Sequence, residues 1–251
     1  MARLLTEETS LTRKRQAVLA ETGVLGKLVW VEAAVVALLA AAGLIRWWRQ
    51  DTTTLLILAA VGALFVLAHA LKLRDNDREA KRVQAGLKGE AEVTRLLDAK
   101  LDTTHYLLND CTIKVGRTSA QIDHLVVAPN GIFLLETKNW RGHIEGDAAA
   151  AQWSQVRAPG EVPAPVHNPV IQVRRQIDTL NALLRRHAID WPDVRGMVLF
   201  TSPRTTWSIA EDGIPVLRPD QAVEAILRFR GTRSYAESDI TPVVNALMRS
   251  R

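Results

Sequence analysis

Three side chains with chemistry to offer interrupt two otherwise apolar stretches: Asp123 in Gln121-Ile-Asp-His-Leu-Val-Val-Ala128, and Glu136 and Lys138 in Ile132-Phe-Leu-Leu-Glu-Thr-Lys138. Both stretches read as β-strands, with Pro129-Asn130-Gly131 as the turn between them. Side chains on a strand alternate between faces, so the register decides the pairing. A Pro129-Asn130 turn places Asp123 opposite Glu136, and an Asn130-Gly131 turn places it opposite Lys138. Either register puts all three groups on one face, whereas a loop with an odd number of residues would not. Opposed residues have Cβ atoms about 5 Å apart, so two carboxylates there repel and resist joint ionisation. A divalent cation removes that cost. Mg2+, or Mn2+ in its place, prefers oxygen ligands, keeps several waters and is held by one or two carboxylates together with a substrate phosphate. It would polarise a phosphoryl oxygen and take up developing negative charge, while Lys138 holds or helps deprotonate the attacking water. The plainer readings are a strand-end ion pair for Glu136 and Lys138 and a turn cap for Asp123.

The elements that must position these groups follow from the pattern around them. A helix is expected from about Gly86 to Leu101, then strands near 105–115, 120–128 and 131–138, and a Pro-rich loop from Ala158 to Pro169. Val170, Val173, Ile177, Leu180 and Leu184 recur at intervals of three and four residues and predict the next helix. Val194–Thr201 and Ile214–Leu217 read as strands, followed by helices from about Pro219 and Ser238. Helix, three strands, helix, strand is an α/β order, and roughly 160 residues is ample for one core. A composition of 47% hydrophobic and 24% charged residues excludes disordered, collagenous and disulfide-rich classes. The single cysteine, Cys111, cannot form an intrachain disulfide and is expected to fill space in a strand. His105, His143, His167 and His187 lack zinc spacing, and His124 should face away from Asp123 as a packed strand residue. Trp153, Trp191 and Trp207 are expected as core or loop anchors.

The net charge of +5 is local. Residues 1–27 contribute +2, residues 72–88 contribute +3, and the remainder is formally neutral. Between the two basic segments lie apolar runs of 18 residues (28–45) and 20 residues (52–71) joined by Arg46-Trp-Trp-Arg-Gln-Asp51. As helices they would be roughly 27 and 30 Å long, close to the ~30 Å of a bilayer core. They predict a transmembrane hairpin at 28–71, with Trp30, Trp47 and Trp48 at the interfaces and Glu32 and His69 near span ends. The flanking Lys and Arg place both termini in the cytoplasm of a multi-pass protein of the cell membrane, with the bilayer as a partner. Residues 1–27 then form a cytoplasmic segment, 72–85 a charged linker, and 86–251 the α/β domain.

Four pieces in order resemble the nuclease-related domain (NERD) family, a branch of the PD-(D/E)xK nuclease superfamily: Gly86-Leu-Lys-Gly-Glu90, Gln121-Ile-Asp-His124, Gly131-Ile-Phe-Leu-Leu-Glu-Thr-Lys-Asn139 and Asn168-Pro-Val-Ile-Gln172. The likeness covers about residues 86–205. It implies a restriction-endonuclease-like core of order αβββαβ. By this resemblance Asp123, Glu136 and the backbone carbonyl of Thr137 ligate a metal, Glu90 approaches it from the first helix, Lys138 is the catalytic lysine, and Gln172 positions Lys138 or the nucleic-acid backbone. Arg174 and Arg175, beside Gln172, together with Arg185 and Arg186 on the same helix, suit phosphates. The expectation is a membrane-anchored, Mg2+-dependent nuclease acting on nucleic acid, DNA foremost. Its alternatives are a catalytically silent domain that binds nucleic acid or protein at the membrane, and a scaffold whose carboxylates hold a structural cation.

Overall fold

The computed structural model describes residues 1–5, 37, 41 and 52–250, without the side chains of 52, 54–56, 58 and 59. The chain divides into two compact units, Met1–Thr9 with Ala85–Arg251, and Ser10–Gln84. The larger is a mixed α/β domain built on two sheets. Its six-stranded sheet has the order β1 (Arg3–Leu4), β2 (Tyr106–Val115), β3 (Thr118–Ala128), β4 (Gly131–Lys138), β8 (Val194–Phe200) and β10 (Val216–Leu217). The central strands β2, β3 and β4 are antiparallel neighbours, and β4 runs parallel to β8. Among the described residues, the helices with defined bounds are α1 (Thr52–Lys100), α2 (Pro169–Arg186), α3 (Pro219–Arg228) and α4 (Glu237–Arg249).

Alternation along β3 and β4 gives the sheet two apolar faces. Leu125, Val127, Ile132 and Leu134 pack with Leu180 and Leu183 of α2 and with Val243 and Leu247 of α4. Val126, Ala128, Phe133 and Leu135 pack with Val93 and Leu97 of α1 and with Val223 and Ile226 of α3. With each fully buried Leu, Ile, Val or Phe contributing about 1.5–3 kcal/mol, these two layers hold the domain together. Cys111 is buried in the first, as a space-filling strand residue.

The second sheet, in the order β7 (Ala164–His167), β6 (Gln152–Val156), β5 (Gly142–Asp147) and β9 (Thr205–Ala210), has no counterpart in the expected elements. β7 occupies part of what reads as a Pro-rich loop. The sheet joins the domain through Ile144 and Trp153, which pack with Val170, Val198 and Phe200. Without it, the order α1-β2-β3-β4-α2-β8 is the expected one.

The membrane placement is corrected. Among the described residues no helix is long and apolar enough to cross a membrane. The run 52–71 is no separate span but the beginning of the 49-residue α1, which continues without a break through the charged stretch from Lys72. Ile57, Val61, Leu64 and Leu71 are exposed along it. Of the run 28–45 only Ala37 and Ala41 are described, both helical. Trp30, Glu32, Trp47, Trp48 and most of the segment 1–27 lie outside the described residues. The multi-pass arrangement with both termini in the cytoplasm therefore does not stand.

Candidate functional site

The hairpin adopts the first of the two registers. Ala128 pairs with Gly131 and His124 with Leu135, so the next position sets Asp123 opposite Glu136. The ladder yields there to a side-chain contact, in which the Thr137 N–H donates to Asp123 Oδ2 at 2.8 Å. Asp123, Glu136 and Lys138 thus continue the face that α2 covers. His124 points the other way, buried, with Nδ1 2.8 Å from Asn109 Oδ1. Burial pushes its pKa down to about 3, the mark of a neutral packed histidine.

Two close helix approaches bring the remaining groups in. Gly89 precedes Glu90, and a Cβ there would lie 2.6 Å from Thr201 Oγ1 and 3.2 Å from Asn139 Cβ. Only glycine lets α1 lie this near the ends of β4 and β8, and Asn139 Nδ2 fastens it by donating to the Ala85 carbonyl at 2.6 Å. On the other face, a Cβ on Gly196 of β8 would meet Val173 Cγ1 at 2.2 Å, so glycine there seats α2 on the sheet. Asn168 caps α2 by accepting from the Val170 N–H at 2.8 Å, and its amide donates to the Ala150 carbonyl at 2.7 Å. Pro169 fits the first helical turn, where no N–H is needed. That start sets the exposed Gln172 beside Lys138.

Glu136 is buried at 1% exposure, and both its oxygens are engaged. Lys138 Nζ donates to Oε1, and Gln176 Nε2 donates to Oε2 at 2.8 Å. Lys138 Nζ also donates to Gln172 Oε1 at 3.2 Å. Burial, and then the charge of Glu136, raises the Asp123 carboxyl to about 7. Burial, and then Asp123, Asp110 and Glu136, raises Glu90 to about 8. Lys138 opposes both shifts without cancelling them. The structure therefore brings Glu90, Asp123, Glu136, Lys138 and Gln172 to one end of the sheet. Arg174 is instead paired with Asp212 at 2.8 Å, and Arg175 is exposed.

Two contributors escaped the sequence reading. Asp110 sits at the β2 position across from Asp123, between the pairs Asn109–His124 and Cys111–Ile122, with left-handed backbone (φ 47°). Its Oδ1 accepts from Gln121 Nε2 at 2.6 Å. A polar Asn-Asp step inside an apolar strand was its only signal. Gln176, a turn beyond Gln172, was hidden in the helix's buried stripe. Among the described residues no three His, Cys, Asp or Glu side chains are grouped to hold a metal ion.

Fold and site together define the class: a mixed α/β domain, consistent with a nuclease-like core, with carboxylates and a lysine converging at the end of its central hairpin. The family model for the nuclease-related domain, NERD, matches residues 85–201. An uncharacterized protein of Bacillus anthracis is 45% identical over 73 residues, which are 28% of this chain and 34% of that relative. The chain thus spans about a third of that protein's length. No solved structure matches it.

Proposed function

We propose that the domain hydrolyses phosphodiester bonds of nucleic acid, with DNA as its substrate, using Mg2+ or Mn2+ held by Asp123 and Glu136 with the Thr137 carbonyl and Glu90. The observation that supports this most is the gathering of Glu90, Asp123, Glu136 and Lys138 from α1, β3 and β4, close enough that, after burial, the charge of Glu136 raises Asp123 and those of Asp123 and Glu136 raise Glu90. The donors fit a hard cation in kind. All are oxygens, their repulsion is what a cation relieves, and the buried Thr137 hydroxyl has no hydrogen-bond partner. They form no three-carboxylate cage, and Mg2+ needs none, since one or two carboxylates suffice beside water and phosphate. When bound, the cation would supply Lewis-acid polarisation of the phosphoryl oxygen.

The chain's own residues supply the rest. Lys138 has three N–H donors, of which Glu136 and Gln172 take two, leaving one for a water or a phosphate oxygen. Gln172 and Arg175, both exposed on the first turns of α2, flank that donor and suit the sugar-phosphate backbone. Arg174 joins them only by giving up Asp212.

A second reading, a catalytically silent domain that binds nucleic acid or protein, is favoured by one feature: both oxygens of Glu136 already have partners within the chain. Incubating the full chain with single- and double-stranded DNA and RNA, in Mg2+, Mn2+ or EDTA, separates the two. Cation-dependent cleavage with DNA cut fastest is expected. Binding without cleavage under every condition would establish the second reading instead.

A further inference from the structure

Gln176 lies on the buried stripe of α2 with Val173, Leu180, Leu183 and Leu184, at 2% exposure. For the core alone it is a poor choice. Its Oε1 is buried without a hydrogen-bond partner, a cost that an apolar side chain of the same shape would avoid. What the amide does instead is specific. Its two N–H groups are both used, one on Glu136 Oε2 and one on the Gln121 carbonyl, each at 2.8 Å. It thereby ties α2 to β3 and β4 at the level of the site. A glutamate's terminal torsion is broad, so a carboxylate held at one oxygen only is free to turn. Lys138 holds Oε1 from one side, Gln176 holds Oε2 from the other, and Gln172, one turn earlier on the same helix, holds Lys138 in turn.

We propose that Gln176 is a positioning residue of the site, fixing the carboxylate plane of Glu136 so that Oε1 alone faces Lys138 and any cation bound there. The inference rests on the cation-binding reading of the site given above. Gln176 touches neither substrate nor cation and acts through Glu136. Outer partners of ligating carboxylates act in this manner, and their loss costs about 10- to 100-fold in metal affinity or activity.

The test is Mn2+ titration of the full chain, read by the electron paramagnetic resonance of free Mn2+, for the unmodified protein, Gln176→Met, Gln176→Glu and Thr179→Val. Met is close in shape to Gln and suits the apolar stripe. Glu is isosteric but presents an oxygen to Glu136, and it keeps the comparison open if Met unfolds the chain. Thr179, also buried on α2, bonds only the Arg175 carbonyl and serves as the control. Both Gln176 variants are expected to weaken Mn2+ binding about 10-fold or more, with Thr179→Val unchanged. In cleavage assays kcat should fall by a similar factor while KM for an oligonucleotide holds. Undiminished Mn2+ affinity in folded Gln176 variants, or an equal loss in Thr179→Val, overturns the positioning role and leaves the cation site standing. An unmodified protein that binds no Mn2+ overturns the site reading itself, and the role of Gln176 with it.

Discussion

Asp123 and Glu90 are the side chains whose chemistry departs furthest from ordinary carboxyls, and the departure has a measurable sign. In the unfolded chain both titrate near 4, whereas in the fold burial and the neighbouring carboxylates hold them to about 7 and about 8. Between those limits the folded state binds more protons, so their contribution to stability falls as pH rises from about 4 to about 8. Asp123→Asn removes one of these groups. In cation-free buffer at pH 8 it should melt higher than the unmodified protein, by about 2–4 °C for each kcal/mol relieved, with the gain disappearing toward pH 4. A melting difference between the two that is flat with pH would contradict the coupling. His124 works in the opposite sense. Its pKa is depressed to about 3, so its contribution is present above about 6.5 and lost as pH falls from there toward 3. His124→Gln should flatten the acid limb of the melting curve, and an unchanged limb would remove His124 as its cause. At this scale Asp123, Glu136 and Lys138 were legible because charge in an apolar strand has to be explained. Gln176 and Asp110 were not. A glutamine within a helix stripe looks like an imperfection of the pattern, and a left-handed backbone at Asp110 leaves no mark in the residue type.

Helix α2 is the element on which the site depends, because it carries Gln172 and Gln176 and is seated by Gly196. Gly196→Ala drives a methyl into Val173, a β-branched side chain with little freedom to turn away. Overpacking of this kind should cost about 1–3 kcal/mol in denaturant unfolding. It should also lift Gln172 and Gln176 from their partners, so Mn2+ binding is expected to weaken together with stability. A fully tolerated alanine would mean that α2 is not held by this close approach. The helices, the central hairpin and β8 were readable because they repeat at 3.6 or 2 residues. The second sheet was not. Its strands have four to six residues, include Gly142, Gly146 and Pro165, and find their partners far along the chain, β9 beside β5 in particular. Only the alternation of Thr205, Trp207 and Ile209 hinted at a strand there.

For the whole molecule, the charge of +5 belongs to the segments before residue 89 and says little about the domain that follows. The apolar run 52–71 shows how far hydropathy alone can mislead, since that stretch is the first part of a longer helix whose remainder is charged. What the domain can offer to phosphates is local: Arg175, Arg185 and Arg186 are exposed on α2. Replacing all three by Ala should make DNA affinity less salt-dependent, lowering the slope of log K against log salt by up to about one for each phosphate that the variant no longer neutralises. An unchanged slope would place the nucleic-acid path on another face. The central claim, that the hairpin's end is a phosphodiesterase site, is tested most directly by the single-turnover rate of Mg2+-dependent DNA cleavage, compared between the unmodified chain and Lys138→Gln. Glutamine removes the charge yet keeps an N–H for Glu136, so the fold is retained. The predicted result is a loss of about 100-fold or more. Cleavage that requires Mg2+ and proceeds at the unmodified rate in Lys138→Gln would contradict it.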